Sequence, residues 1–289
     1  MEDLLSPPQN FAGLIPPYTN LTTAKVVILP VPYDGTTEWH SGTREGPQAI
    51  INASRYLELY DIELEREIYK VGIHTFPDVQ PSFDSPERMI NKVYRIAREL
   101  IKQAKFLAML GGEHSLSLGI VQALKEKTQG LCVLQLDAHA DLRDEYLGTK
   151  YSHACVMRRV VEICPVVQVG IRSLSWEEQQ FLTQNNMHPF FAISNSGLAS
   201  PEQIIASLND DVYLSIDLDV FDPSIMSAVG TPEPGGIQWH EILNLLRLVA
   251  LHKRVIGFDL VELCPKEGPA SCAFLAAKLA YKLIGYAVS

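Results

Sequence analysis

A short polar run, Asp137-Ala138-His139-Ala140-Asp141, directly follows an apolar stretch that ends at Leu136. In an extended chain, residues two apart point to the same face, so the three polar side chains of this run are expected to converge. Two carboxylates at the edge of an apolar core repel each other unless a cation lies between them. Oxygen ligands with one imidazole suit a hard or borderline divalent metal ion, so the run predicts a metal site.

Two further polar clusters also follow apolar runs. Asp217 and Asp219 are two residues apart, so an extended backbone would again point both carboxylates to one face. His114 follows Gly111-Gly112-Glu113, and the glycines indicate a close approach of two backbone segments. Each signal is weak alone, because an aspartate pair or a histidine at a strand end can also have a purely structural role.

Together, the three clusters contain more ligands than one metal ion needs. Such a set suits two metals about 3.5–4 Å apart that share a carboxylate. Because carboxylates dominate and no cysteine is present, two Mn²⁺ ions per subunit are favoured over Zn²⁺ as the cofactor. The predicted metal ligands are His114, Asp137, His139, Asp141, Asp217 and Asp219.

The elements that must position these clusters are predicted from hydrophobic patterns. Continuous apolar runs indicate strands that are buried on both faces of a parallel sheet, at residues 26–29, 106–110, 131–136, 166–169, 213–216 and 255–258. Pro30, Gly170 and Asp259 are expected to end three of these strands. Amphipathic stretches predict helices at residues 85–105, 117–127, 176–184, 201–208 and 239–251, with a closing helix at 272–287.

Alternation of strands and helices predicts an α/β fold with helices on both faces of the sheet. In such folds, ligands bind beyond the carboxyl ends of the strands, where the polar clusters lie. No linker or internal repeat divides the 289 residues, so a single domain over residues 1–289 is predicted. Residues 1–25, rich in Pro and Asn, form a possible N-terminal arm.

Composition excludes several classes of function. Lys and Arg number 24 and Asp and Glu number 34, so the formal net charge is −10, and an acidic chain is not expected to bind nucleic acid. No run approaches the ~20 apolar residues that span a membrane. The N-terminus lacks a basic region followed by an apolar stretch, and no two of the five cysteines have C-x-x-C spacing. These features predict a cytoplasmic protein with reduced thiols.

Several segments resemble, in order, the signature blocks of the arginase/agmatinase (ureohydrolase) family. They are GGEHS, LDAHAD, SIDLDVFDP with TPEPGG, and GFDLVELCP, while PVPYDGTTEWHSGTREGP is similar to the family's substrate-loop region. The TPEPGG block is typical of the agmatinase branch. The resemblance implies a single three-layer α/β/α domain with a mainly parallel eight-stranded sheet, and a homo-oligomer, either a trimer or a hexamer.

The resemblance also implies how the residues divide between roles. One manganese ion would bind His114, Asp137, Asp141 and Asp217, and the other would bind Asp137, His139, Asp217 and Asp219. Glu262 matches the carboxylate that binds the substrate guanidinium, and His153 matches the histidine that carries protons to the leaving amine. The expected catalytic residues are His153, Glu262 and Asp141, and the expected substrate-binding residues are Glu262, Thr231 and Glu233.

These roles agree with the chemistry of the side chains. A carboxylate binds a planar guanidinium through paired charge-assisted hydrogen bonds, and an imidazole has the pKa range that proton transfer needs. A solvated edge carboxylate remains an alternative for Glu262, and an exposed loop residue remains an alternative for His153.

Two departures from the family pattern concern the substrate. Residues 226–230 read Met-Ser-Ala-Val-Gly where the family often has Pro-Gly-Thr-Gly, which would change a wall of the pocket. Residues 142–151 lack the Asn that holds the α-carboxylate of arginine in the arginase branch, and they contain Asp144 and Glu145. A cationic substrate tail is therefore expected.

The expected reaction is hydrolysis of agmatine to putrescine and urea. N1-aminopropylagmatine, which would give spermidine, is an alternative, as are guanidinobutyrate, guanidinopropionate and guanidine. Two hypotheses belong to other classes. A non-catalytic scaffold could keep the same fold, and a zinc amidohydrolase or deacetylase could use a related fold, although Glu262 disfavours the latter.

Overall fold

The computed structural model describes residues 6–192 and 199–288. Residues 1–5 of the possible N-terminal arm lie outside these ranges. The described part of that segment packs on its own chain: Phe11 is fully buried, and its N–H donates to Thr75 Oγ1 over 2.8 Å. Within the two described ranges, no helix combines the length and apolar character that crossing a membrane requires. All five cysteines are buried and none forms a disulfide bond.

Within residues 6–192 and 199–288, ten strands form one large sheet and one small hairpin. They are β1 (Val26–Val31), β2 (Tyr60–Asp61), β3 (Arg66–Glu67), β4 (Ile73–Thr75), β5 (Phe106–Gly111), β6 (Leu131–Leu136), β7 (Val166–Ile171), β8 (Phe190–Phe191), β9 (Asp211–Asp217) and β10 (Arg254–Val261). Eight of them pair in the order β4-β1-β5-β10-β9-β6-β7-β8, and every pairing in this sheet is parallel. The antiparallel β2–β3 hairpin stands apart from it. The predicted parallel eight-stranded sheet is confirmed.

Helices cover both faces of the sheet. They are α1 (Gly46–Ser54), α2 (Pro86–Lys102), α3 (Ser117–Lys125), α4 (Val156–Val161), α5 (Trp176–Gln184), α6 (Pro201–Ala206), α7 (Trp239–His252) and α8 (Ala270–Ala287). Alternate side chains of each strand enter opposite cores, as Cys132 and Val133 of β6 do. Helices α1, α6, α7 and α8 pack in one core, and α2 to α5 pack in the other. The fold is therefore the predicted three-layer α/β/α arrangement.

Three predicted strand ends are wrong. Pro30, Gly170 and Asp259 lie inside β1, β7 and β10. Pro30 is tolerated because β4 has already ended beside it, so no carbonyl of β4 lacks a donor. On that side, the carbonyl of Pro30 accepts a hydrogen bond from Val79 N over 2.9 Å. Asp259 is tolerated because its buried carboxylate accepts hydrogen bonds from the neighbouring strand β9, including one of 2.7 Å from Tyr213 OH.

The backbone leaving β1 runs against the backbone leaving β5. Gly112 N donates to Val31 O over 2.9 Å, and Glu113 N donates to Tyr33 O over 2.8 Å. A Cβ atom on Gly112 would overlap the carbonyl oxygen of Tyr33. The close approach that the glycines predicted is therefore present, and it joins the loop after β1 to the start of the polar cluster after β5.

We expect Gly112→Ala to destabilise the fold by about 2 kcal/mol, because the overlap with Tyr33 forces a backbone shift. Gly130→Ala is the matched control, since a Cβ there meets no atom within 4 Å. Urea-induced unfolding of both variants measures the difference. Equal midpoints for Gly112→Ala, Gly130→Ala and the parent chain would contradict the close approach.

Candidate metal centre

The predicted ligands lie at the carboxyl ends of three strands. His114 follows β5, residues 137–141 follow β6, and residues 217–219 are at the end of β9. Strand β10 lies between β5 and β9 in the sheet, and Glu262 follows it directly. Four neighbouring strands therefore deliver these side chains to one edge of the sheet.

Two groups of ligand atoms meet at this edge and share Asp137. In the first, His114 Nδ1 lies 3.1 Å from Asp137 Oδ2, 3.0 Å from Asp141 Oδ2 and 3.6 Å from Asp217 Oδ2. In the second, His139 Nδ1 lies 2.8 Å from Asp219 Oδ2 and 3.8 Å from Asp137 Oδ1. The structure thus brings all six predicted ligands together in two adjoining groups.

The backbone path that achieves this differs from the predicted one. Strand β6 ends before Asp137, and Asp141 has a left-handed φ of +53°. Asp219 lies in a turn of 3-10 helix, Leu218–Val220, rather than in β9. An extended backbone with a period of two was therefore the wrong explanation for the convergence. Turns orient the carboxylates instead, and backbone N–H groups hold them.

Three backbone N–H groups donate to these carboxylates. Asp137 Oδ1 accepts from His139 N over 2.6 Å, and Asp217 Oδ1 accepts from Asp219 N over 2.9 Å. Asp219 Oδ1 accepts from Ala138 N over 2.9 Å, which ties the two aspartate loops together. Each of these three carboxylates uses one oxygen for the backbone and turns the other towards a histidine, and Asp137 Oδ2 also accepts from Gln135 Nε2 over 2.7 Å.

The tautomer of His114 follows from its hydrogen bonds. Ser215 Oγ donates to the buried Asp259 carboxylate over 3.0 Å, so it must accept from His114 Nε2, which lies 2.9 Å away. In the neutral ring, His114 Nδ1 then carries the lone pair; it is fully buried and faces the carboxylate oxygens of Asp137 and Asp141 at 3.1 and 3.0 Å. An imidazole fixed in this way by a carboxylate-backed donor is the arrangement that metal-binding histidines have. The residues present therefore fit a divalent metal.

The electrostatics of the cluster also favour a bound cation. Burial and then the neighbouring Asp219 raise the pKa of Asp217 well above its ordinary value, and burial raises the pKa of Asp137 to about 7. Burial alone would lower the pKa of His139, but Asp219 outweighs burial and raises it to about 10. Without a metal, the cluster therefore holds protons that a bound cation would displace.

Glu262 points into the same region from the end of β10. It has a left-handed φ of +65°, and its Oε1 accepts from His114 N over 2.7 Å. Burial and then the Glu113 carboxylate raise the pKa of Glu262 well above its ordinary value. A solvated edge carboxylate does not fit this environment.

His153 opens the 3-10 turn His153–Cys155, directly before α4. The ring atom His153 Nδ1 lies 3.3 Å from Thr36 Oγ1, and the backbone N–H of His153 donates to the same oxygen over 3.1 Å. Burial lowers the pKa of His153. An exposed loop residue is therefore the wrong alternative for His153.

A cavity of about 300 Å³ joins these groups. Its walls include His114, His139, Asp141, His153, Asp217, Asp219, Thr231 and Glu262, and its outer part includes Glu38, His40, Arg143 and Tyr146. The other residue predicted to bind substrate, Glu233, lies beside the cavity, with Oε1 3.8 Å from His139 Nε2.

Two features that were expected to select the substrate lie elsewhere in the structure. Asp144 does not line the cavity; it pairs with Arg159 over 2.6 Å and with Lys150 over 3.2 Å. It therefore gives no reason for rejecting an acidic substrate tail. Residues 226–230 were expected to form a wall; Gly230 does line the cavity, but Met226 and Val229 are buried in the core behind it.

Several residues of the site were not predicted. Asp259 orients His114 through Ser215, and Thr36 contacts His153 from the loop after β1. Glu113 is fully buried, and burial raises its pKa to about 7 despite hydrogen bonds from Ser115 and Thr36. An acid inside an apolar strand or a glycine-rich turn is a signal that could have indicated Asp259 and Glu113, whereas Thr36 carries no such signal.

The arginase family model matches residues 24–285. An N(1)-aminopropylagmatine ureohydrolase of Synechocystis sp. is 39% identical over 277 residues, which cover 93% of this chain and 90% of that protein. An agmatinase of Pyrococcus horikoshii is 34% identical over 276 residues, covering 93% and 94% of the two chains. The agmatine ureohydrolase of Thermoplasma volcanium superposes with a TM-score of 0.85 at 29% identity, over 99% of this chain and 96% of that one.

Asp137→Asn should remove most of the bound metal, because Asp137 is the residue common to both groups and an amide cannot neutralise a cation. We expect affinity for divalent metal to fall at least about 100-fold, with the fold intact. Metal content after dialysis, measured by mass spectrometry, checks this. Asp210→Asn is the matched control, since Asp210 is fully exposed and precedes β9, at the opposite end of that strand from Asp217. Full metal content in Asp137→Asn would show that Asp137 is not a metal ligand.

Proposed function

Since the chain belongs to the arginase family, we propose that it hydrolyses N1-aminopropylagmatine to spermidine and urea, with agmatine as the second candidate. It is a ureohydrolase of agmatine-type guanidino compounds. The motifs alone favoured agmatine. The similarity to N1-aminopropylagmatine ureohydrolases, together with an acidic group at the mouth of the cavity, supports the longer substrate.

The observation that carries the proposal is the position of Glu262 beside the shared carboxylate cluster. Its carboxylate faces a cavity whose inner wall is made of predicted metal ligands. A guanidinium is a planar cation, and a carboxylate can accept two parallel hydrogen bonds from it. Because burial raises the pKa of Glu262, the arrival of a cation restores the charged form that binds it.

We assign the six predicted ligands to two Mn²⁺ ions. Carboxylate oxygens outnumber imidazoles in both groups, which favours manganese over zinc. When bound, a pair of divalent cations activates water as a nucleophile at neutral pH and neutralises the charge that develops during attack. Asp141 belongs to the first group and also lines the cavity, so it would act as both a ligand and a catalytic residue.

The reaction breaks the bond between the guanidinium carbon and the alkylated nitrogen. Water supplies the urea oxygen, and its two protons end on the leaving nitrogen: one must arrive for the nitrogen to depart as the amine, and the second converts the amine to an ammonium. His153 faces the cavity and is the residue that carries this proton. Because burial lowers the pKa of His153, its imidazolium gives up the proton readily. Thr231 would contact the substrate from the opposite loop.

The mouth of the cavity suits a cationic tail. Glu38 is exposed there and accepts a hydrogen bond from Tyr146 OH, while the Arg143 guanidinium lies 4.9 Å from the Tyr146 ring centre. Agmatine spans about 7 Å from guanidinium carbon to amine, and an aminopropyl group adds about 5 Å. The outer amine of the longer substrate would therefore reach further towards the mouth. Trimeric or hexameric assembly and a cytoplasmic location stay predictions.

The proposal is tested by urea release from Mn²⁺-loaded protein with N1-aminopropylagmatine, agmatine, arginine, guanidinobutyrate and guanidine. We expect urea from the two amine-tailed substrates, and Glu262→Gln should lower kcat/KM at least about 100-fold while metal content is unchanged. Urea only from arginine or guanidinobutyrate would reject the tail assignment. No urea from a metal-loaded chain would favour the scaffold hypothesis, and activity only with zinc on an amide would favour the deacetylase.

Glu38→Gln should weaken the binding of N1-aminopropylagmatine more than that of agmatine, because only the outer amine of the longer substrate reaches Glu38. The effect should be small, since an exposed charge pair contributes at most about 1 kcal/mol. We expect kcat/KM for N1-aminopropylagmatine to fall about fivefold, with agmatine changed less than twofold. Glu58→Gln, an exposed substitution outside the cavity, is the control. An equal loss of kcat/KM for both substrates would show that Glu38 does not bind the outer amine.

A further inference from the structure

Thr36 contacts two residues of the site at once without facing the cavity. Its Oγ1 lies 2.7 Å from Glu113 Oε1 and 3.3 Å from His153 Nδ1, and its N–H donates to Glu113 Oε2 over 2.6 Å. We propose that Thr36, backed by the buried Glu113, is a positioning residue that fixes the tautomer and ring orientation of His153. The catalytic part of this inference rests on the proposed function, in which His153 carries the proton.

The direction of each hydrogen bond follows from the number of protons available. Three donors face the two oxygens of Glu113: Thr36 N, Thr36 Oγ1 and Ser115 Oγ. When Glu113 is ionised it can only accept, so the one proton of the Thr36 hydroxyl is directed at Glu113. The Thr36 hydroxyl oxygen must therefore accept from both the backbone N–H and the ring Nδ1–H of His153. His153 then carries its proton on Nδ1 and leaves Nε2 free to take up and deliver a second proton.

The position of Thr36 is set by the backbone rather than by one side-chain contact. Glu113 N donates to Tyr33 O, which places the loop after β1 beside Glu113. The same loop is closed by the buried Asp34, which accepts from Gly42 N over 2.9 Å and forms an ion pair with Arg44. Thr36 is therefore held against Glu113 from both ends of the loop, and His153 is oriented by a group that is already fixed.

A misplaced proton would stop the proposed chemistry. If Nε2 carried the proton in the neutral ring, Nε2 could not accept one, and the ring could rotate away from the leaving nitrogen. Proton transfer by a positioned side chain contributes about 10²- to 10⁴-fold to rate. Because Thr36 does not line the cavity, its loss should lower kcat and leave KM nearly unchanged.

The kinetic test compares Thr36→Val, Thr36→Ser and the control Thr183→Val, an exposed threonine on α5. With whichever substrate the parent hydrolyses, we expect Thr36→Val to lose about 10- to 100-fold in kcat with KM within about threefold. Thr36→Ser should recover most of this loss, because it restores the hydroxyl. In a His153→Asn background, Thr36→Val should have almost no further effect. Equal losses for Thr36→Val and Thr36→Ser, or additive losses with His153→Asn, would overturn the inference.

A second measurement does not depend on activity. In the full-length chain loaded with diamagnetic Mg²⁺ and labelled with ¹⁵N-histidine, magic-angle-spinning NMR reports which ring nitrogen carries the proton. The His153 signal is identified by its absence from His153→Asn. We expect an Nδ1–H ring in the parent and in Thr36→Ser, and an Nε2–H or mixed ring in Thr36→Val. An Nε2–H ring in the parent would refute the inference even if the chain released no urea, whereas an inactive parent with an Nδ1–H ring would refute only the proposed reaction.

Discussion

Repulsion among buried carboxylates is the constraint on which this structure depends. The parallel sheet brings the aspartates of two loops to one edge, where solvent cannot screen their charges, and the raised pKa values of Asp137 and Asp217 record that cost. Backbone N–H groups and two histidines offset part of the repulsion, and a divalent cation would offset the rest. The surrounding hydrogen bonds then have one purpose, which is to hold each free oxygen and the free nitrogen of His114 in place.

Much of this arrangement could be predicted from the sequence, because the polar residues follow apolar runs that are long enough to be buried strands. Parallel strands end at one edge, so their polar successors had to meet. The turns at Asp141 and Glu262 could not be predicted, since a left-handed φ in a residue other than glycine has no local signature. The contact between Thr36 and His153 joins residues 117 apart through a loop, and hydrophobic periodicity carries no information about such a pair.

Arg172 connects the inner and outer parts of the site. Its guanidinium donates to the carbonyl oxygen of Asp219 over 2.6 Å and to that of Glu233 over 2.8 Å. The loop that contains two predicted ligands and the loop that contributes Thr231 to the cavity are therefore held by one side chain. A substitution that moves one loop would therefore reach the other through Arg172, which couples the wall of the cavity to the loop of the predicted ligands.

The place of β10 in the sheet affects how the molecule forms. This strand is the last in the sequence, yet it lies in the middle of the sheet between β5 and β9. During synthesis, those two strands must leave a gap until β10 emerges, so the halves of the sheet cannot close on each other early. Pairing between segments this far apart in the chain makes folding slow and leaves apolar strand edges exposed for longer. The same gap separates His114 from Asp217, so the metal-binding edge is complete only after the final strand is inserted.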